Sequence, residues 1–158
     1  MIRYVDTIVT FSEVPDEISL CINISNCPCR CIECHSTYLA DDIGDNLDDS
    51  TLNNLINNNN GITCVCFMGG DANPKYINHL ASIIKENYPE LKVTWYSGRQ
   101  ELSKDINLAN FDFIKLGPYI KEKGPLNKRT TNQIFYKVFH FSSGKSKLID
   151  ITYKFWKN

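Results

Sequence analysis

Apolar and polar residues alternate strictly from Ile18 to Ser25. Ile18, Leu20, Ile22 and Ile24 fall on one side, and Ser19, Cys21, Asn23 and Ser25 on the other. A period of two predicts a strand with a buried face, and the polar side is expected to line a cavity. Ile62-Thr63-Cys64-Val65-Cys66-Phe67-Met68 is a nearly continuous apolar run. That pattern predicts a buried parallel strand, in which Cys64 and Cys66 share a face and read as small core residues. Leu91–Tyr96 and Phe111–Leu116 give two further strands, while Ile8-Val9-Thr10-Phe11 reads as a short strand or extended lead-in.

Helical spacing separates these runs. Asp49 or Ser50 can cap a short helix carrying Leu52, Leu55 and Ile56, which Asn57–Asn60 and Gly61 end. Asn73 caps a second helix with Pro74 in its first turn. Ile77, Leu80, Ala81, Ile84 and Tyr88 form its apolar stripe, His79 lies off that stripe, and Pro89 stops it. A third, short helix is expected around Glu101–Ile106. Strands alternating with helices predict a parallel α/β sheet with right-handed crossovers. The pattern changes after Tyr119. Lys121–Thr131 is basic and irregular, and Phe135–Phe141 and Lys147–Tyr153 flank a Ser/Gly/Lys turn, predicting a C-terminal β-hairpin. Phe155-Trp156 is expected to pack the tail down or meet a partner.

Composition narrows the function. The 158 residues, 42% hydrophobic and 22% charged, suit a single domain over 1–158. A net charge of −1 gives no electrostatic case for nucleic acid or an anionic membrane. The first residues carry no long apolar run, so no signal peptide is expected, and no stretch is long enough to span a bilayer. The seven cysteines are odd in number and four crowd between Cys27 and Cys34. A disulfide framework spreads and pairs its cysteines, so a reducing cytoplasm is the expected compartment.

The crowded stretch is Cys27-Pro28-Cys29-Arg30-Cys31-Ile32-Glu33-Cys34-His35. Among the seven cysteines only Cys27, Cys31 and Cys34 give the spacing C-x3-C-x2-C. Three thiolates can occupy three irons of a four-iron cluster, leaving one iron for a non-protein ligand. Zinc competes less well, because it wants four ligands, usually from two separated knuckles. Thiol redox chemistry through Cys31-x-x-Cys34 leaves the other cysteines unexplained. Cys29 has no place in the triplet and is either a spare thiol or a fourth ligand. Gly69-Gly70-Asp71 comes directly after the second strand of the parallel series. Glycines there serve either a turn or a ligand that approaches the backbone, with a carboxylate able to bind an ammonium group.

Cys27-x3-Cys31-x2-Cys34 after one strand and Gly69-Gly70-Asp71 after the next resemble the radical S-adenosylmethionine (SAM) superfamily. Further stretches resemble one family within it, the anaerobic ribonucleoside-triphosphate reductase activating proteins. These are Cys34-His35-Ser36, Tyr96-Ser97-Gly98-Arg99, Lys115–Ile120, Gly124-Pro125-Leu126, Thr130-Thr131-Asn132-Gln133 and Asp150-Ile151-Thr152. Two positions depart from the family pattern: Asp71 stands where Glu is commoner, and Ile32-Glu33 where Pro-Gly is.

The resemblance implies a partial (βα) barrel of the radical SAM type, with mostly parallel strands. It implies a [4Fe-4S] cluster on Cys27, Cys31 and Cys34 whose open iron chelates SAM. Gly69, Gly70 and Asp71 would hold the methionine amino end, Ser97 and Arg99 would contact the carboxylate or ribose, and Lys115 would face the same cavity. One electron into the sulfonium would yield methionine and a 5′-deoxyadenosyl radical. That radical would take a hydrogen atom from a glycine of the large subunit of anaerobic ribonucleotide reductase. A flavodoxin-type electron donor is implied as well, and a homodimer is compatible with it. The alternatives are another small radical SAM enzyme and a non-enzymatic zinc or thiolate interaction module.

Overall fold

The computed structural model describes residues 1–31 and 37–156. Eight strands form one sheet: β1 (Arg3–Thr10), β2 (Ser19–Ile24), β3 (Asp45–Asn46), β4 (Cys64–Met68), β5 (Lys92–Tyr96), β6 (Phe113–Leu116), β7 (Ile134–His140) and β8 (Ser146–Asp150). Their order across the sheet is β3-β1-β2-β4-β5-β6-β7-β8. The four strands expected to be parallel, β2, β4, β5 and β6, are adjacent and parallel. Both flanks are antiparallel, with β1 joining β2 and β3 on one side and β7 joining β6 and β8 on the other.

This architecture corrects the expected barrel. Four of the seven pairings are antiparallel, and the described residues contain two α-helices, α1 (Asp49–Asn57) and α2 (Pro74–Asn87). A (βα) barrel needs a helix at each crossover, and here one crossover has none. The helix expected around Glu101–Ile106 is absent, and the β5–β6 connection is irregular apart from a 3-10 turn at Leu108–Asn110. Local polar side chains compete for its backbone. Ser103 Oγ accepts from Asp105 N at 3.2 Å, Asn107 Oδ1 from Ala109 N at 3.0 Å, and Asn78 Oδ1 from Asn107 N at 2.8 Å. Leu102, Ile106 and Leu108 still pack on the core from this irregular path.

Each helix forms for local reasons. The cap of α1 is Asp48, one residue before the expected position, and its Oδ1 accepts from Thr51 N at 2.8 Å. Asn73 caps α2 through Tyr76 N at 3.2 Å, with Pro74 next in the chain. Leu52 and Ile56 of α1 and Ile77, Leu80, Ala81 and Ile84 of α2 cover one sheet face, against Leu20, Ile22, Ile24, Val65, Phe67, Val93, Trp95 and Ile114. His79, off that stripe, pairs at the surface with Asp49 at 2.8 Å.

The other face carries Cys21, Cys64, Cys66, Tyr96, Phe113 and Phe135. No described helix covers it. Val14, Leu126, Ile151 and Phe155 close it from irregular segments, the last of them in a 3-10 turn at Thr152–Phe155. Ser19 and Cys21 on this polar side are thus buried rather than wet, while Asn23 and Ser25, toward its end, each line a cavity. No described helix is long and apolar enough to cross a membrane.

Candidate functional site

The four parallel strands end together, and their last residues and the turns beyond them shape one cavity of about 450 Å3. Asn23 and Ile24 come from β2, Met68, Gly69 and Asp71 from β4 and its turn, Tyr96, Ser97 and Gly98 from β5 and its turn, and Lys115 and Gly117 from β6 and its turn. The carboxyl ends of adjacent parallel strands are where such sheets place ligands.

Cys27, Cys29 and Cys31 line this cavity. The loop that bears them leaves β2 through Asn26, whose φ of 59° is the left-handed conformation that asparagine tolerates. Two backbone bonds pin it, Asn26 N to Asp41 O at 2.9 Å and Cys27 N to Leu39 O at 2.8 Å. Cys34, the third ligand of the expected triplet, lies outside the described residues. Among the described residues no three His, Cys, Asp or Glu side chains stand close enough to hold a single metal ion.

Cys29 behaves differently from its neighbours. Its Sγ donates to Asp71 Oδ2 at 3.5 Å. Burial, then the charges of Asp71 and Cys27, push its thiol up to about 12, with Arg99 opposing. Such a thiol keeps its proton and serves Asp71.

Asp71 is the best-held polar group of the site. It is 7% exposed. Ser97 Oγ donates to its Oδ1 at 2.5 Å and Gly98 N to its Oδ2 at 2.8 Å. Gly69 and Gly70, with φ of 108° and 97°, make the turn that delivers it. These values suit glycine, and a Cβ on Gly70 would stand 2.5 Å from Ile77 Cδ1. Of the pair, Gly69 faces the cavity, while Gly70 backs against Ile24 and Ile77.

The remaining expected residues separate. Ser97 is buried, and its hydroxyl is engaged by Asp71 and by Arg99 N at 3.1 Å. It therefore positions Asp71. Arg99 is exposed and lies in an adjoining groove with Pro74, Trp95, Gln100 and Leu102. That groove shares Cys29, Asp71, Ser97 and Gly98 with the cavity. Lys115 is 8% exposed and lines the cavity. Its Nζ donates to Ser97 O at 3.1 Å and Gly117 O at 3.0 Å. Burial pulls its pKa down, and the Asp71 charge opposes that shift.

Other residues of the cavity have no signature in the sequence. Glu13, Tyr96, Asn127, Gln133 and Phe155 all line it. The Tyr96 hydroxyl donates to Glu13 O, tying the β1–β2 connection to β5. Folding alone brings these residues together. Tyr96 and Gln133 lie within stretches that carry the family resemblance, Tyr96–Arg99 and Thr130–Gln133, but nothing in either stretch marks them as cavity-facing.

The donor chemistry suits a thiolate-bound cluster. Two thiols of the expected triplet share a cavity with a buried lysine, Lys115. A family model described as a 4Fe-4S single cluster domain matches residues 18–138. That span runs from β2 into β7 and includes every residue of the expected site. Comparisons with curated proteins and with solved structures gave no match.

Proposed function

Because the chain belongs to the 4Fe-4S single cluster domain family, we propose that it is a radical SAM enzyme. In this reading Cys27, Cys31 and Cys34 hold the cluster. The protein generates a glycyl radical on the large subunit of anaerobic ribonucleotide reductase, with a flavodoxin-type protein as electron donor. When bound, the cluster supplies one electron for cleaving a C–S bond of SAM, giving methionine and 5′-deoxyadenosine once a hydrogen atom has left the glycine.

The observation that carries this reading is the buried Asp71 carboxylate in the same cavity as Cys27 and Cys31. An ionised carboxylate accepts at about four lone-pair sites. Ser97, Gly98 and Cys29 use three of them. The remaining site suits the ammonium of an amino acid. Lys115 offers the complementary group. Two of its three protons go to Ser97 O and Gly117 O, its Nζ also lies 5.5 Å from the Tyr96 ring centroid, and in this reading the ammonium meets the carboxylate of the cofactor. A cavity that sets the buried Asp71 carboxylate and the Lys115 ammonium beside two thiols matches an amino-acid cofactor better than a structural zinc.

The test is anaerobic reconstitution with iron and sulfide, then reduction with SAM present. Brown protein, 5′-deoxyadenosine on chromatography and, with the reductase added, a glycyl signal in electron paramagnetic resonance are expected. Protein without the chromophore, or without 5′-deoxyadenosine, would overturn the reading. Cleavage of SAM without the glycyl signal would assign the radical to another substrate and remove the activase role.

A further inference from the structure

Gln133 is 8% exposed and lines the cavity. Its side-chain amide has no hydrogen-bond partner among the described residues, although its backbone N donates to Thr131 Oγ1 at 3.0 Å. The buried side-chain oxygen without a partner in this segment is Asn132 Oδ1, whereas Gln133 is part of the cavity lining. The backbone around Gln133 is held firmly. The Asn132 side chain donates to Pro118 O at 3.0 Å, and the Gln133 Cα would lie 3.1 Å from a Cβ on Gly117. Gly117 O in turn accepts from Lys115. The Gln133 backbone is therefore fixed next to the Lys115 turn.

This wall is distinct from the one built by the strand ends. Besides Gln133, the cavity is lined by Tyr119, Pro125, Leu126, Asn127 and Phe155, all from the chain after β6. Charged recognition belongs to Asp71 and Lys115. The chain after β6 contributes apolar surface and two carboxamides.

Resting on the activase reading above, we infer that Gln133 reads the backbone of the polypeptide substrate. A carboxamide presents one donor and one acceptor in a plane, as a peptide unit does. Gln133 donates to a backbone carbonyl and accepts from a backbone N–H of an extended segment. The apolar wall beside it takes the adjoining chain. The recognised group is thus a short stretch of main chain, read by its amides rather than by charge.

The experiment uses the reconstituted holoprotein and a fluorescent peptide spanning the glycine-bearing loop of the reductase. Gln133→Met keeps size and removes both hydrogen bonds, and Gln133→Glu keeps the acceptor and removes the donor. Four quantities are measured: iron content, SAM affinity, 5′-deoxyadenosine formed without peptide, and peptide affinity by anisotropy. Gln133→Met should weaken the peptide about tenfold, with the glycyl signal recovered at high peptide. Gln133→Glu should fall between wild type and Gln133→Met. Iron content should match wild type, and any loss of SAM affinity should be smaller than the loss of peptide affinity. Loss of SAM affinity with unchanged peptide affinity would assign the amide to the cofactor and overturn the inference. Unchanged peptide affinity in both variants would overturn it too. Failure of the wild type to cleave SAM would instead strike the activase reading itself.

Discussion

Ser97 Oγ lies 2.5 Å from Asp71 Oδ1, and both residues are buried. The hydroxyl comes from the end of β5 and the carboxylate from the turn after β4, so this bond fixes one strand end against the next. Hydrogen bonds to a buried charge are worth about 1.5–3 kcal/mol. Ser97→Ala should lower stability by about that amount and leave Asp71 held by Gly98 N and Cys29. SAM affinity should fall roughly tenfold as the carboxylate loses its orientation. Denaturant midpoints and equilibrium dialysis read the two effects. Unchanged SAM affinity would separate Asp71 from the cofactor.

Gly98 brings the β5 turn against the cysteine loop. A Cβ there would stand 2.7 Å from Cys29 Sγ and 3.1 Å from Cys29 Cβ. Gly98→Ala should cost about 1–3 kcal/mol through overpacking. Cys29→Ala removes the offending sulfur, so the double variant should recover most of that loss. A coupling of about 0.5–3 kcal/mol between the two sites is expected from urea melts of the four proteins. Additive losses would mean that the two residues do not meet.

The cysteines should divide by cluster content. Cys27→Ala, Cys31→Ala and Cys34→Ala are each expected to abolish the chromophore and SAM cleavage. Cys29→Ala should retain both, because its thiol is directed at Asp71. Iron and sulfide assays on anaerobically reconstituted protein decide this. A colourless Cys29 variant would reassign the ligand set.

How legible each feature is in the sequence depends on the range of the interactions behind it. Period-two and period-3.6 patterns are local, so β2, β4, β5, β6, α1 and α2 can be read from them, and β7 and β8 from the turn between two alternating runs. The cap of α1 lies one residue earlier than expected, because Asp48, Asp49 and Ser50 are all competent caps and only tertiary geometry selects Asp48. The barrel expectation fails in part at Glu101–Ile106, where a short helix is expected but the side chains of Ser103, Asn78 and Asn107 satisfy the backbone of this connection in other ways. Cys27, Cys31, Gly69 and Asp71 are legible as motifs, and the structure gathers them around one cavity. Glu13 and Gln133 join them from opposite ends of the chain, and no spacing rule relates such residues.

Glu13 should introduce a pH dependence into stability. Burial pushes its carboxyl above the ordinary value of 4.5, and Tyr96 and Lys115 pull it partly back. Between 4.5 and the folded value, the native state binds a proton that the unfolded chain has released. Stability then falls as pH rises through that window and stays lower above it. Glu13→Gln carries no proton to lose. The variant should therefore gain on wild type between pH 4 and pH 7 (about the window below and above a raised carboxyl). Urea midpoints at the two pH values measure the difference, and parallel shifts would show that Glu13 titrates alike in both states.

Trp95 governs the glycine turn from inside the core. It is 1% exposed, and its Nε1 donates to Gly69 O at 2.7 Å. Gly69 N donates to Tyr96 O at 3.1 Å, so β5 holds this one residue by both its donor and its acceptor. Gly69 has a φ of 108°, a conformation with little intrinsic preference to maintain it. Trp95→Phe keeps an aromatic ring and deletes the donor. The unpaired carbonyl should cost about 1–3 kcal/mol, with a further loss from the smaller ring. The distinguishing readout is local. Backbone amide exchange should accelerate at Gly69, Gly70 and Asp71 while Val93 and Thr94, in the middle of β5, remain protected. SAM affinity should fall with it, since Asp71 stands two residues beyond Gly69. Equal acceleration at Val93 and Thr94 would show that Trp95 supports the sheet as a whole and has no particular hold on the turn.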